Sequence, residues 1–381
     1  MKIVVMGGAG DVGSRAVEEL ASEPGISRVT VADWNIRGAR QLAKRLQASA
    51  SNAEVVAVRV DANRHQSLVD CITGHQVVAS ALGPFHQYEL KLVRAAIEAK
   101  AHYASICDEW EPAKALFDDF QTWANQSGCM IVTGLGASPG LTNLGVAHLA
   151  KSFDEIRKVD LGIYQPLDAG GGEAVFAHML HIMSGDVATF RDGRVRMIPA
   201  VSESRDVVFP EYGAIKLWNM GHAEPVTIPR YFDVDEVNFF MGYGVGAEAF
   251  VWPAKAGVFD LELGRALALK LIGAAEAATR GESPGIGAIR VDVTGTAGGR
   301  EVTRTLCGTG QMREATGLSL AVGTAMLARG ELTTSAGGVY APEGCLEPDV
   351  FIQELAAKGI EAFYDIEMQK PVAPQAATQA A

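Results

Sequence analysis

The sequence predicts an α/β protein in which a doubly wound parallel sheet is followed by a second, mixed α/β domain with an antiparallel sheet. Two observations predict the first part. Short apolar runs alternate with amphipathic segments over about the first 135 residues, and a glycine-rich turn follows the first apolar run. A third observation predicts the second part, because hairpin signals replace that alternation after Gly134.

The first part follows a regular alternation of strands and helices. Its apolar runs predict strands at residues 3–6, 28–32, 55–60, 77–81, 103–106 and 130–133. The segments between them predict helices at residues 12–21, 36–48, 65–72, 89–99 and 112–127. Parallel strands need such crossover connections, and helices on both faces bury the sheet.

The pattern changes in the second half of the chain. The pairs Asp192-Gly193 and Gly298-Gly299 predict hairpin turns, the second of them between alternating segments. An apolar run at residues 237–241 is either an interface strand or ordinary core. The remaining elements predicted are helices at 142–151, 173–183, 316–329 and 349–358, hairpin strands at 289–296 and 301–306, and a strand at 360–366.

These changes of pattern define the expected domains. We expect a dinucleotide-binding domain at residues 1–135, an inserted domain at 136–325, and a C-terminal segment at 326–370 that packs back on the first domain. The tail at 371–381 contains mainly Pro, Ala, Gln and Thr and is predicted to be disordered.

Composition excludes several classes of protein. The chain has 381 residues and a formal net charge of -12, which argues against non-specific nucleic-acid binding. No apolar stretch reaches the ~18 residues of a membrane span, and the chain begins on a strand-like segment without a leader, so we expect a cytoplasmic protein. Its five cysteines are widely spaced, which predicts reduced thiols and no zinc site.

A glycine-rich turn carries the first functional signal. It follows a predicted strand and begins a predicted helix, which is the context of the dinucleotide-binding Rossmann motif G-x-G-x-x-G. The glycines allow a tight turn and a close approach of the backbone to a pyrophosphate, which the amides at the helix start can bind. The residues of the motif are Gly8, Ala9, Gly10, Asp11, Val12 and Gly13.

Acidic residues at the ends of the next two strands extend the predicted cofactor site. Asp33 lies where a carboxylate can bond both ribose hydroxyls and repel a 2′-phosphate, which favours NAD over NADP. Arg37 and Arg40 follow closely and could allow NADP to bind. Asp61 could lie near the adenine or only cap a helix.

The loop after the fourth strand is expected to meet the nicotinamide half of the cofactor. Ligands of open α/β sheets bind beyond the carboxyl ends of the strands. Gly83 and the following proline are equally compatible with a simple turn. The loop residues predicted to contact the cofactor are Ala81, Leu82 and Gly83.

Several of these segments and some downstream ones together resemble a known family. They include the glycine motif, Ala-Leu-Gly-Pro-Phe at 81–85, His-Tyr at 102–103 and Cys-Asp-Glu at 107–109. Gly-Ala-Ser-Pro-Gly-Leu-Thr-Asn at 136–143 and Glu-Pro-Val-Thr-Ile-Pro-Arg at 224–230 are the most specific. The chain resembles the saccharopine dehydrogenase/reductase-like family, which includes lysine 6-dehydrogenases and carboxynorspermidine-type dehydrogenases. The aromatic loop position that is often Tyr in the family is Phe85-His86 here, so a family acid/base role does not transfer directly to this loop.

The resemblance implies a Rossmann domain, an inserted substrate and dimerisation domain, and often a homodimer. It also implies NAD(P)-dependent hydride transfer at a carbon that bears an amine. The reaction could reduce an imine formed from an amine and a carbonyl compound, or oxidise an amine such as that of lysine. The expected partner is therefore a small amine, amino acid or polyamine-derived substrate.

Imine reduction needs a group that gives or takes a proton beside the nicotinamide. His86 follows the Gly83-Pro84 loop and is one candidate; the alternative is a solvated loop residue. Asp108 follows the fifth strand and could stabilise an iminium, or else cap a helix.

Five further residues are candidates for binding the substrate. A guanidinium matches a carboxylate in shape, an amide or carboxylate can bond an amine, and histidines can line a pocket. Each has a structural alternative: a helix cap, a favourable helix dipole, a core histidine, a turn residue or an ion pair. A metal is not expected, because His178 and His181 share a helix face without a clear third ligand. The candidates are Asn143, Glu173, His178, His222 and Arg230.

Two other functions compete with amine chemistry. Alcohol or sugar dehydrogenases have a similar two-domain layout, but they often place a lysine near the fourth or fifth strand end. Lys91 and Lys100 lie on or after a predicted helix instead. A non-catalytic dinucleotide-binding sensor would keep the fold without the chemistry.

Overall fold

The computed structural model describes residues 1–49, 52–166, 172–244, 248–279 and 285–372. Its strands are β1 Lys2–Met6, β2 Arg28–Asp33, β3 Glu54–Arg59, β4 Val77–Ser80, β5 His102–Ser105, β6 Met130–Thr133, β7 Glu155–Tyr164, β8 Asp186–Arg191, β9 Arg194–Pro199, β10 Ser204–Phe209, β11 Gly213–Asn219, β12 Glu236–Gly242, β13 Ile286–Ala297, β14 Arg300–Gln311 and β15 Gly338–Tyr340.

The α-helices are α1 Asp11–Ser22, α2 Ile36–Ala48, α3 His65–Ile72, α4 Phe85–Glu98, α5 Trp110–Ala115, α6 Gln121–Ser127, α7 Thr142–Ala150, α8 Gly172–Ile182, α9 Glu224–Thr227, α10 Glu248–Lys255, α11 Glu262–Thr279, α12 Met312–Arg329 and α13 Pro348–Ala356. Single π-helical turns at Leu116–Phe120 and Ala137–Leu141 adjoin α6 and α7. No helix in the described ranges combines the length and the apolar character that a bilayer crossing requires.

The chain divides into two compact units. The first comprises residues 1–141 and 313–347, and the second comprises 142–312 and 348–381. The expected C-terminal segment 326–370 is therefore divided between the units rather than placed whole on the first. The reason is local pairing: the backbone of Phe363 exchanges hydrogen bonds of 2.8 and 2.9 Å with Cys307 on β14.

The first unit contains a seven-stranded sheet in the order β15-β6-β5-β4-β1-β2-β3, and every pairing in it is parallel. The strands β1, β4 and β6 are apolar and almost wholly buried, because helices cover both faces. The strand order reverses between β1 and β4. This reversal opens a crevice at the carboxyl ends of those two strands, where ligands of open α/β sheets bind.

The second unit contains a mixed sheet in the order β10-β11-β12-β7-β13-β14. Only β7 and β12 run parallel; the other pairings are antiparallel, and the predicted hairpins at 192–193 and 298–299 join β8 to β9 and β13 to β14. The apolar run at 237–241 lies in β12, whose buried side chains belong to the core of this unit.

The predicted fold class is confirmed, and the differences are local. Residues 360–366 do not form the expected strand: Phe363 makes isolated bridges to Cys307 and Pro371 only. In the predicted disordered tail, Pro371 bridges Phe363 and the Val372 amide donates to the carbonyl of Ala362 at 2.8 Å, while 373–381 lie outside the described residues.

Candidate active site

The glycine motif forms a close-packed turn between β1, α1 and the loop that follows β4. Gly7 has a φ of +70°, and a Cβ placed on it would lie 2.9 Å from the carbonyl oxygen of Ala81. A Cβ on Gly13 would overlap the carbonyl oxygen of Gly7. The turn therefore needs residues without side chains at Gly7 and Gly13, and α1 begins directly after it at Asp11.

Asp33 is held beside this turn at the end of β2. Its Oδ2 accepts the Ala9 amide at 3.0 Å, and its Oδ1 accepts the Asn35 amide at 2.8 Å. The carboxylate is thus fixed beside the glycine turn at the carboxyl end of β2, and its role toward the ribose of a dinucleotide stays a prediction. Arg37 and Arg40 are exposed on α2 and form no ion pair with the described part of the chain.

Two other acidic residues predicted at the cofactor site have local structural partners. Asp11 begins α1, and its carboxylate pairs with Arg313 at 2.9 Å. The Asp61 carboxylate accepts the amide of Asn63 at 3.0 Å, which closes the turn before α3. The sequence contained no local signal for Arg313, because it lies 302 residues from Asp11.

The loop after β4 lies directly beside β1. The Ala81 amide donates to the carbonyl of Met6 at 3.0 Å, and the Leu82 amide approaches the Ser80 hydroxyl at 3.4 Å. Gly83 and Pro84 then lead into α4. The residues predicted to meet the nicotinamide half therefore stand on the far side of the crevice from Asp33.

His86 and Glu109 form a carboxylate–histidine pair in the first unit. The Nδ1 of His86 lies 2.8 Å from Oε2 of Glu109, whose side chain is fully buried. Because a carboxylate only accepts, Nδ1 carries a proton, and Nε2 is the ring nitrogen that can exchange a proton with a ligand. Glu109 also accepts the amides of Phe85 at 3.2 Å and His86 at 2.6 Å, so it caps the start of α4.

The sequence predicted Asp108, the residue before Glu109, as the carboxylate of the site. Asp108 is half-buried at the end of β5, and its role stays a prediction; Glu109 is the residue that contacts His86. The sequence does contain a signal for a contact between these two segments. Because β4 and β5 pair in parallel, the residues that follow their carboxyl ends lie close together.

A second buried carboxylate lies close to this pair. Glu89 on α4 accepts hydrogen bonds from Ser105 at 2.5 Å, Tyr103 at 2.8 Å and Thr133 at 3.5 Å. Complete burial raises the pKa of Glu89 to about 7, and the charge of Glu109 adds to this, while the three hydroxyl donors act in the opposite direction. The first unit therefore holds two fully buried acidic side chains near His86: Glu109, which bonds its ring, and Glu89, which lies three residues further along α4.

The second unit contains its own carboxylate–histidine pair. The Nδ1 of His222 lies 2.6 Å from Oε2 of Glu224, and the Thr142 hydroxyl donates to Oε1 at 2.8 Å. The ring of His222 stacks on Phe239 with centroids 3.9 Å apart. This pair joins the start of α7 to α9 inside the second unit. Glu224 was not predicted as a site residue.

The other substrate-binding candidates are dispersed over the second unit. Asn143 donates from Nδ2 to the Thr227 hydroxyl at 3.0 Å, and His178 meets the His222 ring edge-on at 6.5 Å. Arg230 is exposed and donates from Nε to the carbonyl of Val226 at 3.0 Å. Glu173 lies in the first turn of α8, and its side chain is outside what the structure describes. Their roles toward a substrate stay predictions.

Comparison with known proteins agrees with this geometry. Residues 3–126 match the family model described as the saccharopine dehydrogenase NADP binding domain. Apo saccharopine dehydrogenase (L-Glu forming) from Saccharomyces cerevisiae has the same fold: it superposes with a TM-score of 0.68 at 15% identity over 98% of this chain and 100% of that one. The predicted family resemblance is confirmed.

Two curated relatives match over part of their length. Carboxynorspermidine synthase of Vibrio alginolyticus is 26% identical over 220 residues, which are 53% of this chain and 50% of that protein. A trans-acting enoyl reductase of Mycobacterium ulcerans is 25% identical over 198 residues, 50% of this chain and 47% of that protein. The chain thus spans about half the length of the curated relatives it matches.

Proposed function

We propose that this chain is a nicotinamide-dinucleotide-dependent oxidoreductase that acts on a C–N bond. It interconverts an imine, formed from an amine and a carbonyl compound, with the corresponding amine. The observation that carries the proposal is the His86–Glu109 pair, which follows the carboxyl ends of β4 and β5; a ligand bound at this edge of the sheet would find a proton-exchanging group there, as hydride transfer to an imine requires. The names of the saccharopine and carboxynorspermidine proteins support the choice of a C–N substrate.

The roles of the residues follow from this chemistry. A bound dinucleotide supplies or takes the hydride. The glycine turn and the start of α1 hold its pyrophosphate, and Asp33 holds the ribose hydroxyls. His86 gives a proton at Nε2 to the nitrogen in the reductive direction and accepts it in the oxidative one. Glu109 orients the ring and stabilises the imidazolium form.

The cofactor preference depends on the charge beside the ribose. Asp33 is the reason to propose NAD, since a 2′-phosphate would meet a carboxylate held by two backbone amides. The description of the matching family model names NADP, and Arg37 and Arg40 are the residues that would serve a 2′-phosphate.

Fluorescence titration of NADH and NADPH tests the cofactor proposal. We expect wild-type protein to bind NADH at least about tenfold more tightly, a difference of about 1.4 kcal/mol, and Asp33→Ala to remove the preference. Asp70→Ala is the matched control, because it removes an exposed carboxylate of α3 in the same unit whose side chain bonds Gln66. Tighter binding of NADPH by the wild type would refute the role of Asp33, and binding of neither nucleotide would refute the function as a whole.

The reaction class is tested with substrate panels. Oxidation of NADH should depend on the simultaneous presence of a primary amine and a carbonyl compound, and reduction of NAD should depend on an amine. Turnover of alcohols or sugars alone would favour the competing dehydrogenase, while nucleotide binding without turnover on either panel would favour a sensor.

A further inference from the structure

A cavity of about 670 Å³ lies within the second unit, between the end of α7, strand β14 and the segment that follows α13. Binding sites for small molecules have volumes of roughly 300–1,000 Å³. Three residues that line this cavity are positively charged, although the chain as a whole has a net charge of -12. They are Lys151, Arg304 and Lys370. Such a concentration of positive charge in an acidic protein indicates an anionic ligand.

Two of these cations have no acidic partner among the described residues. The guanidinium carbon of Arg304 lies 5.7 Å from the centre of the Phe153 ring, a contact that holds the side chain without neutralising its charge. The ammonium group of Lys370 makes no ion pair in the part of the chain that the structure describes. Lys151, by contrast, pairs with Asp349 at 2.9 Å. Arg304 and Lys370 are therefore the groups available to an anion.

A chain of hydrogen bonds fixes one wall of the cavity. Asp349 on α13 bonds Nδ1 of His148 on α7 at 2.5 Å, and Nε2 of the same ring lies 2.6 Å from the Tyr364 hydroxyl. Because a carboxylate only accepts, Nδ1 carries a proton, and in the neutral ring Nε2 accepts from Tyr364. The wall is thus ordered before a ligand binds, which lowers the entropy cost of binding.

Backbone contacts hold Lys370 at the same cavity. The Tyr364 amide donates to the carbonyl of Lys370 at 2.9 Å, which closes the loop between them. The Asp365 carboxylate accepts the amides of Gln369 at 3.0 Å and Lys370 at 2.7 Å, and it does not line the cavity. Asp365 therefore fixes the loop and leaves the Lys370 ammonium group to the cavity.

We propose that this cavity binds a phosphate group, either as the free ion or as part of a small phosphate ester, and that Arg304 and Lys370 hold it. A phosphate monoester carries about -1.5 to -2 charges at neutral pH and has three strong acceptor oxygens. A guanidinium fork fits two of those oxygens. One carboxylate could neutralise only one of the two cations. The cavity is larger than a single phosphate, so it can also hold the organic part of an ester.

The position of the two cations gives the ligand a second effect. Arg304 belongs to β14 and Lys370 to the segment after α13, so a phosphate bound by both would join that segment to the sheet. Nucleic acid is disfavoured as the source of the phosphate, because a polymer is held by an extended basic surface and this chain is acidic.

Isothermal titration calorimetry of the full chain, with inorganic phosphate and glycerol 3-phosphate as probes, tests the proposal. Wild-type protein should bind at least one probe, and Arg304→Gln and Lys370→Gln should each weaken binding at least about tenfold, because each removes one of the two available charges. Arg300→Gln is the matched control, since Arg300 is exposed on the same strand outside the cavity. Its effect should stay below about twofold at about 0.15 M salt. Circular dichroism and thermal unfolding establish that each variant is folded.

The two probes distinguish the sources of the phosphate. Tighter binding of glycerol 3-phosphate would identify an ester as the ligand, and equal or tighter binding of inorganic phosphate would identify the free ion. The bound probe should also slow hydrogen exchange at the amides of Phe363 and Tyr364 in wild type but not in Arg304→Gln. The proposal would be overturned if neither probe bound, if the monoanion acetate bound as tightly, or if Arg300→Gln weakened binding as much as Arg304→Gln. Binding without slower exchange would refute the link between β14 and the segment after α13.

Discussion

The two units each contain a histidine bonded through Nδ1 to a fully buried glutamate, yet the surroundings of the two rings differ. His86 is 32% exposed and Glu109 accepts two backbone amides besides the ring. His222 is 3% exposed, stacks on Phe239, and shares Glu224 with one hydroxyl. The same pairing can therefore serve proton transfer where Nε2 reaches solvent or a ligand, and internal cohesion where the ring is enclosed.

The two pairs also differ in the hydrogen bonds that hold each glutamate apart from the one to its histidine. Glu109 would keep two amide donors at the start of α4, so its charge would remain solvated by the protein. Glu224 would lose a ring donor within the core of the second unit, where the Thr142 hydroxyl donates to its Oε1. Replacement of histidine by phenylalanine in both pairs should then affect activity in one unit and stability in the other.

The largest effect is expected from His86→Phe. Loss of the proton-transfer group should lower kcat by about 10²–10⁴-fold in the amine-dependent assay, with little change in NADH affinity. The free energy of unfolding should change little, because the cap of α4 is retained. His65→Phe is the control in the same unit: His65 also bonds a glutamate, Glu98, but both are exposed. A kcat equal to that of wild type would remove His86 from the mechanism.

His222→Phe should instead destabilise the protein. Breaking a buried ion pair by removing one partner costs about 3–5 kcal/mol, because the remaining charge is left poorly compensated. Urea unfolding should show this loss, and the double variant His222→Phe with Glu224→Gln should recover part of it, since no charge is then buried. If His222→Phe were as stable as wild type but inactive, the buried pair would be the catalytic one and the comparison would be reversed.

The same two pairs show which features of the structure can be predicted from the sequence and which cannot. Strand and helix periodicity predicted the parallel sheet and most element bounds, because those depend on local burial patterns. The start of α4 was predicted at residue 89 and lies at Phe85, because its cap is Glu109, 24 residues away. Asp108 and Glu109 are adjacent in sequence, and only the approach of the two loops decides which of them contacts His86.

Glu224 was missed for the same physical reason. It is fully buried, and one of its partners, Thr142, lies 82 residues away in the sequence. By contrast, the position of Asp33 beside the glycine turn could be predicted, because the motif fixes its spacing from that turn. Local chemistry can be predicted from spacing, whereas pairs of buried polar side chains depend on contacts between distant segments.

Glu89 provides the smallest and sharpest test, because it is a buried carboxylate without a histidine. Its pKa is raised by burial from about 4.5 to about 7, so the folded protein holds a proton that the unfolded chain has released at intermediate pH. The resulting stability is complete below about pH 4.5 and is lost as the pH rises through about 7. Relative to Glu89→Gln, which keeps an acceptor oxygen without titrating, wild type should lose about 2 kcal/mol of unfolding free energy between pH 5 and pH 8.

Urea unfolding of both proteins at the two pH values measures this difference directly. Glu89 bonds only to hydroxyls among the described contacts, so nothing cationic offsets its charge when it ionises. Glu98→Gln serves as the control, because Glu98 lies on the same helix but is exposed and paired with His65. Parallel pH profiles of wild type and Glu89→Gln would mean that Glu89 remains ionised throughout, held by its three hydroxyl donors. A buried carboxylate in this protein could then stay ionised without a histidine beside it. His222→Phe would in that case no longer be expected to destabilise the protein more than His86→Phe.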